Sequence, residues 1–276
     1  MRLFKKVAII GVGLIGGSIA LAIKKNKVCR QVVGVSRHKE TLSLALKMKA
    51  IDKGSLSLKI IKGSDLVIIA TPVSKIISLR DEILKYIDKD TLVTDVGSTK
   101  EAIHFSLSKT FLNYVGSHPL AGSEKRGIAN ASADIFKGSL CTLSLEKKSS
   151  PLALKKIKRM WEVLGAKTIF LSPKEHDKKL SFASHLPHFV SYALMGAIPK
   201  EALIFAAGGL KDSTRISGSD AVLWSDIFLT NKKNLLSAIE VFESKIKKIK
   251  SVIKSGNKNS LIKILSQSKK KRELLK

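Results

Sequence analysis

A glycine-rich loop between a predicted strand and a predicted helix constrains the fold of this 276-residue chain more than any other feature. Residues 6–10 (KVAII) form an apolar run typical of a buried parallel strand, and residues 19–23 (IALAI) continue as a helix. Between them lies GVGLIG, which matches the pattern G-x-G-x-x-G. Its glycines allow a tight turn, close approach of a pyrophosphate to the helix amino terminus, and close packing of helix on strand. The sequence therefore predicts a Rossmann-type dinucleotide site formed by Gly11, Gly13, Leu14, Ile15 and Gly16.

The end of the second predicted strand bears on which dinucleotide binds. Residues 31–35 (QVVGV) run directly into Ser36, Arg37 and His38. NAD-binding units usually carry an acidic residue here, about 20 residues past the glycines, where it holds the ribose 2′-hydroxyl. Serine and arginine instead suit a 2′-phosphate, because the guanidinium supplies charge and a fork of donors. We therefore expect NADP rather than NAD, with an ordinary polar loop in a lysine-rich protein as the alternative.

Three polar side chains are expected at the carboxyl edge of the predicted parallel sheet, where open α/β folds bind ligands. Thr71 ends the third predicted strand, Ser98 follows the fourth, and His118 ends the short apolar run that comes next. A neutral imidazole at this edge can take a proton at physiological pH, although a histidine at a strand end is more often structural. Ser98 suits two roles, the N-cap of the following helix or an orienting partner of the imidazole.

The alternation of strands and helices stops at Ser172, and no strand pattern follows Pro173. We therefore predict an α/β chain with two domains. Residues 1–172 form a Rossmann-type NADP-binding domain, and residues 173–276 form an all-helical domain for substrate binding and dimerisation.

One segment of the predicted helical domain is apolar on nearly every side. Residues 186–207 contain few polar side chains, and a helix of this kind must be buried all round. Because about 100 residues can hardly bury it alone, we expect it to pack in a homodimer interface. A membrane span is the rival interpretation, which Pro187, Pro199 and the charged pair at residues 200–201 disfavour.

The formal net charge of +28 raises the question of nucleic-acid binding. The excess is almost all lysine, spread along the chain, and aromatic residues make up only 5%, so stacking platforms are scarce. A solvated lysine-rich surface that attracts anionic substrates is the favoured interpretation. Cys29 and Cys141 form neither a metal-ligand pattern nor a disulfide framework. With no signal-peptide pattern and no apolar run of membrane length, we expect a cytoplasmic protein without a membrane partner.

Five motifs occur in an order that resembles a known family. They are GVGLIGGS at residues 11–18, DVGSTK at 95–100, GSHPLAGSE at 116–124, SHLPH at 184–188 and KDSTR at 211–215. Together they resemble the prephenate/arogenate dehydrogenases of tyrosine biosynthesis, and the match covers nearly the whole chain.

The resemblance implies oxidative decarboxylation of a cyclohexadienol, with hydride transfer to the nicotinamide, loss of carbon dioxide and aromatisation of the ring. His118 is then the base or hydrogen-bond catalyst, and Ser98 orients it. Arg215 holds a substrate carboxylate, for which its donor fork is well suited. The resemblance further implies pocket-lining roles for His185 and His188, a position at the pocket mouth for Glu124, and an approach of Trp224 to a neighbour's pocket across the dimer. It implies no metal.

Other interpretations remain open from the sequence. Ser36 and Arg37 replace the acidic residue of the NAD-using members and match the NADP-using ones. A β-hydroxyacid dehydrogenase shares the glycine loop and the helical second half, but relies on a lysine on an interdomain helix. A Rossmann-type sensor or nucleic-acid binder is the non-enzyme alternative. The sequence does not distinguish prephenate from arogenate, and it leaves open tyrosine inhibition and any assembly beyond a dimer.

Overall fold

The computed structural model describes residues 2–122, 125–144 and 150–275. By their internal contacts the residues form two compact units, Met1–Asn231 and Lys232–Lys276. The second unit consists of two long helices. Everything that concerns the candidate site lies in the first unit.

The strands are β1 (Phe4–Ile10), β2 (Cys29–Val35), β3 (Lys53–Ser55), β4 (Leu66–Ile69), β5 (Leu92–Asp95), β6 (Gly116–Pro119), β7 (Leu140–Ser144) and β8 (Lys167–Leu171). The α-helices are α1 (Leu14–Lys25), α2 (Lys39–Lys47), α3 (Val73–Ser78), α4 (Arg80–Leu84), α5 (Glu101–Leu107), α6 (Pro151–Val163), α7 (Pro173–Leu180), α8 (Leu186–Ala197), α9 (Gly208–Thr214), α10 (Ala221–Thr230), α11 (Lys232–Lys254) and α12 (Lys258–Arg272). Single 3₁₀ segments are Leu58–Ile61, Ile128–Asn130, Lys200–Phe205 and Arg215–Gly218, and a π-helical turn, Ser181–His185, joins α7 to α8.

The larger sheet is parallel throughout and has the strand order β3-β2-β1-β4-β5. Successive side chains of a strand point to opposite faces, so Val7 and Ile9 enter one apolar core while Ala8 and Ile10 enter the other. Both faces of β1 are therefore buried, which explains its continuous apolar run. The predicted fold class, a Rossmann-type α/β domain followed by helices, is confirmed.

The strand that carries His118 departs from the prediction. The chain first follows β5, where Val93 and Tyr114 form a parallel bridge. From Gly116 onwards it pairs antiparallel with β7, within a second sheet of order β6-β7-β8. Gly116 permits the close crossing, since a Cβ there would lie 2.9 Å from the Tyr114 hydroxyl. His118 therefore belongs to the second sheet. The first strand of that sheet, β6, begins beside β5, which is the edge strand of the larger sheet.

The side chain of Ser117 connects the two sheets through the core. It is fully buried, and its Oγ accepts a hydrogen bond of 3.0 Å from Trp161 Nε1 on α6. The same oxygen lies 2.7 Å from Thr94 Oγ1 on β5. Because buried hydroxyls need hydrogen-bond partners, these two bonds fix the position of β6. His118 directly follows Ser117 in this strand.

The apolar segment predicted as one long helix is broken. Helix α8 ends at Ala197, and Ile198 is extended because Pro199 disfavours a helical residue before it. Only Ser191 of α8 is buried in the single chain, while Ile204 and Phe205 are 82% and 80% exposed. The segment is thus not buried within one chain. In the described parts of the chain, no helix combines the length and apolar character that crossing a membrane requires.

The glycine loop has the geometry that its pattern predicts. Gly11 has a φ of +94°, and a Cβ there would lie 2.5 Å from the carbonyl oxygen of Ala70. A Cβ on Gly16 would overlap the carbonyl oxygen of Gly11. A Cβ on Gly13, by contrast, would meet no atom within 4 Å. The packing of the loop therefore requires glycine at the first and third positions of the motif, but not at the second.

Gly16→Ala is expected to lower the free energy of unfolding by about 1–3 kcal/mol, because the added methyl group forces the loop backbone apart. Gly13→Ala is the matched control and is expected to change it by less than about 0.5 kcal/mol, since its Cβ has open space. Urea denaturation of the two variants beside the parent measures both effects. Equal losses would contradict the assignment of a packing role to Gly16 alone.

Candidate active site

A cavity of about 690 Å³ opens at the carboxyl edge of the larger sheet. One wall comes from the glycine loop and the segments after β4, β5 and β6. The other comes from the helical segments around α7, α8 and α10. Nine residues singled out from the sequence line it: Gly13, Leu14, Ile15, Thr71, Ser98, His118, His188, Arg215 and Trp224. Motifs far apart in the chain therefore meet in one pocket.

The glycine-loop end of the cavity fits a dinucleotide. The open space at Gly13 lets a pyrophosphate approach the backbone where α1 begins. Thr71 Oγ1 is buried at the same wall without a hydrogen-bond partner in the described structure, as expected for a hydroxyl that binds a ligand. Ser36 and Arg37 follow β2, the strand next to β1, and they do not line this cavity. Arg37 and His38 are exposed.

His118 is held by a residue that the sequence analysis missed. Its Nδ1 lies 2.8 Å from Nε2 of His176, and His176 Nδ1 lies 2.7 Å from Oδ1 of Asp177. His176 and Asp177 are buried in α7, although the sequence of that helix, PKEHDKKL, is almost entirely polar. A His-Asp pair in a polar helix has no spacing that marks it, and only its burial reveals the role.

Asp177 also caps α5, the helix for which the sequence offered Ser98 as a possible N-cap. Its Oδ1 accepts a hydrogen bond of 2.7 Å from the backbone N–H of Lys100, and its Oδ2 accepts one of 2.9 Å from that of Glu101. No side-chain cap comes from within α5 itself. Between the described side chains of Ser98 and His118 there is no hydrogen bond. The N-cap role for Ser98 was therefore wrong. Ser98 lines the pocket wall together with His118, and its role in orienting the imidazole stays a prediction.

A buried ion pair lies beneath this row of side chains. Lys100 Nζ bonds Asp95 Oδ2, and both side chains are fully buried. Asp95 Oδ1 accepts from the Tyr114 hydroxyl at 2.7 Å, and Oδ2 accepts from the Gly97 N–H at 2.8 Å. These bonds satisfy the carboxylate, as a buried charge requires.

The environment keeps His118 neutral. Burial lowers the pKa of its imidazole well below the usual value, and the adjacent His176 and Lys100 lower it further, Lys100 because its positive charge disfavours another one nearby. At physiological pH the ring therefore carries one proton and one free lone pair, the state in which it can act as a base.

The family resemblance implied that His185 lines the pocket wall, but the structure places its side chain behind that wall. Its side chain is 1% exposed, and its Nδ1 accepts from Asn231 Nδ2 at 3.0 Å. Burial lowers its pKa to about 4. The π-helical turn that ends at His185 turns this ring into the core, whereas His188 faces the cavity. His185 thus supports the wall without lining it.

His188 and Trp224 form one side of the pocket together. Their rings stack with centroids 3.5 Å apart and planes 19° from parallel. His188 Nδ1 also hydrogen-bonds the Ser184 carbonyl at 2.9 Å. Burial lowers the pKa of His188, and the nearby Arg215 guanidinium lowers it too. Trp224 lines the pocket of its own chain, and its approach to a neighbour's pocket across the dimer stays a prediction.

The pocket wall is cationic. Lys125, Arg126 and Arg215 line it, and Asp220 is the one acidic residue on the part of the wall that the structure describes. Asp220 is paired with Arg126 and caps α10 by accepting from the Leu223 N–H. The wall therefore suits an anionic substrate. Glu124, predicted at the pocket mouth, lies outside the described residues.

These features fit hydride chemistry. Across residues 2–122, 125–144 and 150–275, no group of three or more His, Cys, Asp or Glu side chains could hold a metal ion. A dinucleotide loop, a neutral histidine and a cationic wall meet in one cavity. The fold and the site define a two-domain, nicotinamide-dependent dehydrogenase.

Comparison with known proteins identifies the family. The family model "Prephenate dehydrogenase, nucleotide-binding domain" matches residues 19–170, and "Prephenate dehydrogenase, dimerization domain" matches residues 172–267. The prephenate dehydrogenase of Bacillus subtilis is 34% identical over 97% of this chain and 75% of its own length. The chain belongs to the prephenate dehydrogenase family.

Two solved structures support the same conclusion. The structure of prephenate dehydrogenase from Aquifex aeolicus with hydroxyphenyl propionate and NAD⁺ superposes with a TM-score of 0.93 at 33% identity, covering 99% of this chain and 98% of that one. Synechocystis arogenate dehydrogenase superposes with a TM-score of 0.84 at 26% identity, covering 98% and 100%.

The low pKa of His185 makes stability depend on pH. The unfolded chain binds a proton on His185 below about pH 6.5, whereas the folded chain binds it only below about pH 4. The free energy of unfolding should therefore fall as pH falls through this window, with His185 accounting for about 3 kcal/mol. In His185→Asn the amide oxygen keeps the acceptor for Asn231 but cannot titrate, so the fall should be smaller.

Urea denaturation at several pH values between 4 and 7 measures this dependence. His38→Asn, at an exposed histidine, is the control and should keep the parent's pH dependence. If the His185→Asn curve runs parallel to that of the parent, burial of a neutral His185 does not contribute to acid sensitivity.

Proposed function

We propose that this enzyme converts prephenate, arogenate or both by oxidative decarboxylation, with NADP as the preferred hydride acceptor. Family membership carries the reaction type. The observation that carries the assignment of roles is the single cavity in which Gly13, His118 and Arg215 share the walls. A cofactor bound along the glycine loop supplies the acceptor for a hydride.

The residues of the chain divide the remaining work. His118 accepts the proton of the ring hydroxyl while the hydride leaves the ring carbon that bears this hydroxyl. Arg215 holds a substrate carboxylate through its fork of donors. The bond to the ring carboxylate breaks and carbon dioxide leaves. The electron pair of that bond passes through the ring to the oxygen, which regains the proton from His118 to give the phenol. Because aromatisation drives the reaction, the protein mainly orients the reactants and removes one proton.

His188 and Trp224 supply a flat wall in the same pocket. Their stacked rings offer an apolar surface of the kind that packs against a planar six-membered ring. Ser98 faces the cavity near His118 and provides a hydroxyl for the cofactor or the substrate. We assign the substrate-binding role to these residues together with Arg215.

The domain roles follow the change in secondary structure. We assign cofactor binding to residues 1–172 and substrate binding with dimerisation to residues 173–276. The second family model is named for dimerisation, and the exposed Ile204 and Phe205 are apolar surface that a second copy would cover. A homodimer formed through the helical domain is therefore proposed.

A β-hydroxyacid dehydrogenase is the weaker alternative. Such an enzyme would rely on a lysine on an interdomain helix. Among the described residues of the pocket wall is Lys125, but it lies on the loop after β6 and not on a helix of that kind. Three other ionisable groups of the wall, those of His118, His188 and Arg215, instead match a substrate with a transferable hydroxyl proton and a carboxylate.

A two-by-two rate assay tests the function. Purified protein is mixed with prephenate or arogenate and with NADP or NAD, and reduced nicotinamide is followed by absorbance. Turnover in at least one combination is expected, and the fastest combination identifies the substrate and the cofactor. His118→Asn should bind NADP normally but lose about 10²–10⁴-fold in kcat, because the base is gone. No turnover in any combination from folded, NADP-binding protein would reject the proposal.

Arg37→Ala tests the preference for NADP. Loss of the guanidinium should raise the Kd of NADP by about tenfold or more, since a charge-assisted bond to a phosphate is worth about 1.5–3 kcal/mol. The Kd of NAD should change by less than about threefold, because NAD has no 2′-phosphate. Calorimetric titration measures both constants. Lys39→Ala, at an exposed neighbouring residue, is the control, and equal losses for the two cofactors in Arg37→Ala would contradict the assignment.

A further inference from the structure

The row His118–His176–Asp177 has a direction that its hydrogen bonds determine. Asp177 stands at one end, and both of its carboxylate oxygens accept backbone N–H groups, those of Lys100 and Glu101. Its main-chain carbonyl accepts from Asn231 Nδ2 at 2.8 Å, so the residue is fixed on a second side. An ionised carboxylate has acceptors and no donor. At the bond of 2.7 Å between Asp177 Oδ1 and His176 Nδ1, the histidine must therefore donate.

The state of His176 then determines that of His118. His176 is fully buried, and burial lowers its pKa, an effect that outweighs the opposing influence of Asp177. Lys100, buried beneath the two rings, also disfavours a positive charge on His176. A neutral His176 whose proton is on Nδ1 has a lone pair on Nε2. His118 Nδ1, 2.8 Å from that lone pair, must be the donor.

We propose that His176 and Asp177 are positioning residues that hold His118 in a single tautomer, with its proton on Nδ1 and the lone pair of Nε2 directed to the pocket. Only the catalytic consequence of this inference rests on the proposed function. In the opposite tautomer the nitrogen facing the substrate would bear a proton and could not accept another. We call this pair of positioning residues, His176 and Asp177, the relay. It keeps His118 in the form that can remove the hydroxyl proton.

The proton does not need to pass along the row. When His118 takes the hydroxyl proton on Nε2, it becomes an imidazolium whose Nδ1–H still donates to His176. His176 stays neutral, and Asp177 stays bound to the start of α5. The relay orients the ring and accepts the hydrogen bond of the charged form, and the substrate loses one proton to one nitrogen.

The tautomer can be observed directly. In protein labelled with ¹⁵N-histidine, two-dimensional ¹H–¹⁵N spectra distinguish the Nδ1–H from the Nε2–H form of each ring. The chain has six histidines, and the signals missing from His118→Asn assign those of residue 118. At pH 7.5 the parent should show His118 and His176 both protonated on Nδ1. Protonation of His118 on Nε2 in the parent would overturn the proposal, and this readout requires neither substrate nor turnover.

Variants of His176 connect the tautomer to the rate. In His176→Leu the acceptor is lost, so His118 should no longer be held in one tautomer, and kcat should fall by about 10²-fold or more. The KM should change by less than about threefold, because Arg215 and the pocket wall remain. His176→Gln places an amide oxygen near the position of Nε2 and should restore much of the rate. Lys178→Ala, on the exposed side of α7, is the control and should match the parent.

The outcomes separate the relay from a merely structural role and from the proposed function. A structural role predicts a lower melting temperature with an unchanged kcat per folded molecule and an unchanged His118 spectrum, and that result would overturn the relay. If His176→Leu does not fold, the parent spectrum and His176→Gln still decide the question. The expected tautomer in a protein that turns over none of the four substrate and cofactor combinations would support the geometry and reject the proposed function alone.

Discussion

The structure of the pocket depends on a buried polar cluster centred on the Asp177 carboxylate. This one group accepts the first N–H groups of α5, which follows the larger sheet, and the Nδ1–H of His176 in α7. Burying a carboxylate costs several kcal/mol unless its oxygens are satisfied, so the surrounding donors must stay in place. The sheet wall and the helical wall of the cavity are therefore held together by the same side chain that, in our proposal, positions His118 through His176.

A second consequence concerns the strength of His118 as a base. Burial and Lys100 lower its pKa, which keeps it neutral but also makes it a weaker acceptor of protons. A weak base suffices where the reaction itself is strongly driven, and here the ring becomes aromatic as carbon dioxide leaves. In the proposed reaction, holding His118 in one orientation and one tautomer therefore contributes more than a higher pKa would.

The distribution of charge has a local and a global part. The net charge of +28 comes almost entirely from lysines spread along the whole chain. At the pocket, Lys125, Arg126 and Arg215 outnumber the one described acidic residue, Asp220. A general positive field raises the local concentration of anions, and the arginines of the wall offer donor forks that suit a carboxylate.

The sequence alone determined the class of fold and most of the pocket. The glycine loop, Thr71 and Ser98 could be located because each follows a strand, and such positions lie at one edge of a parallel sheet. His118, His188 and Arg215 could be located because the motifs that carry them resemble those of a known family. Only the tertiary structure decided that Asp177 caps α5, that His176 supports His118 and that His185 turns into the core. These contacts join residues 58 and 77 positions apart, and a bond between distant side chains leaves no periodicity or spacing in the sequence.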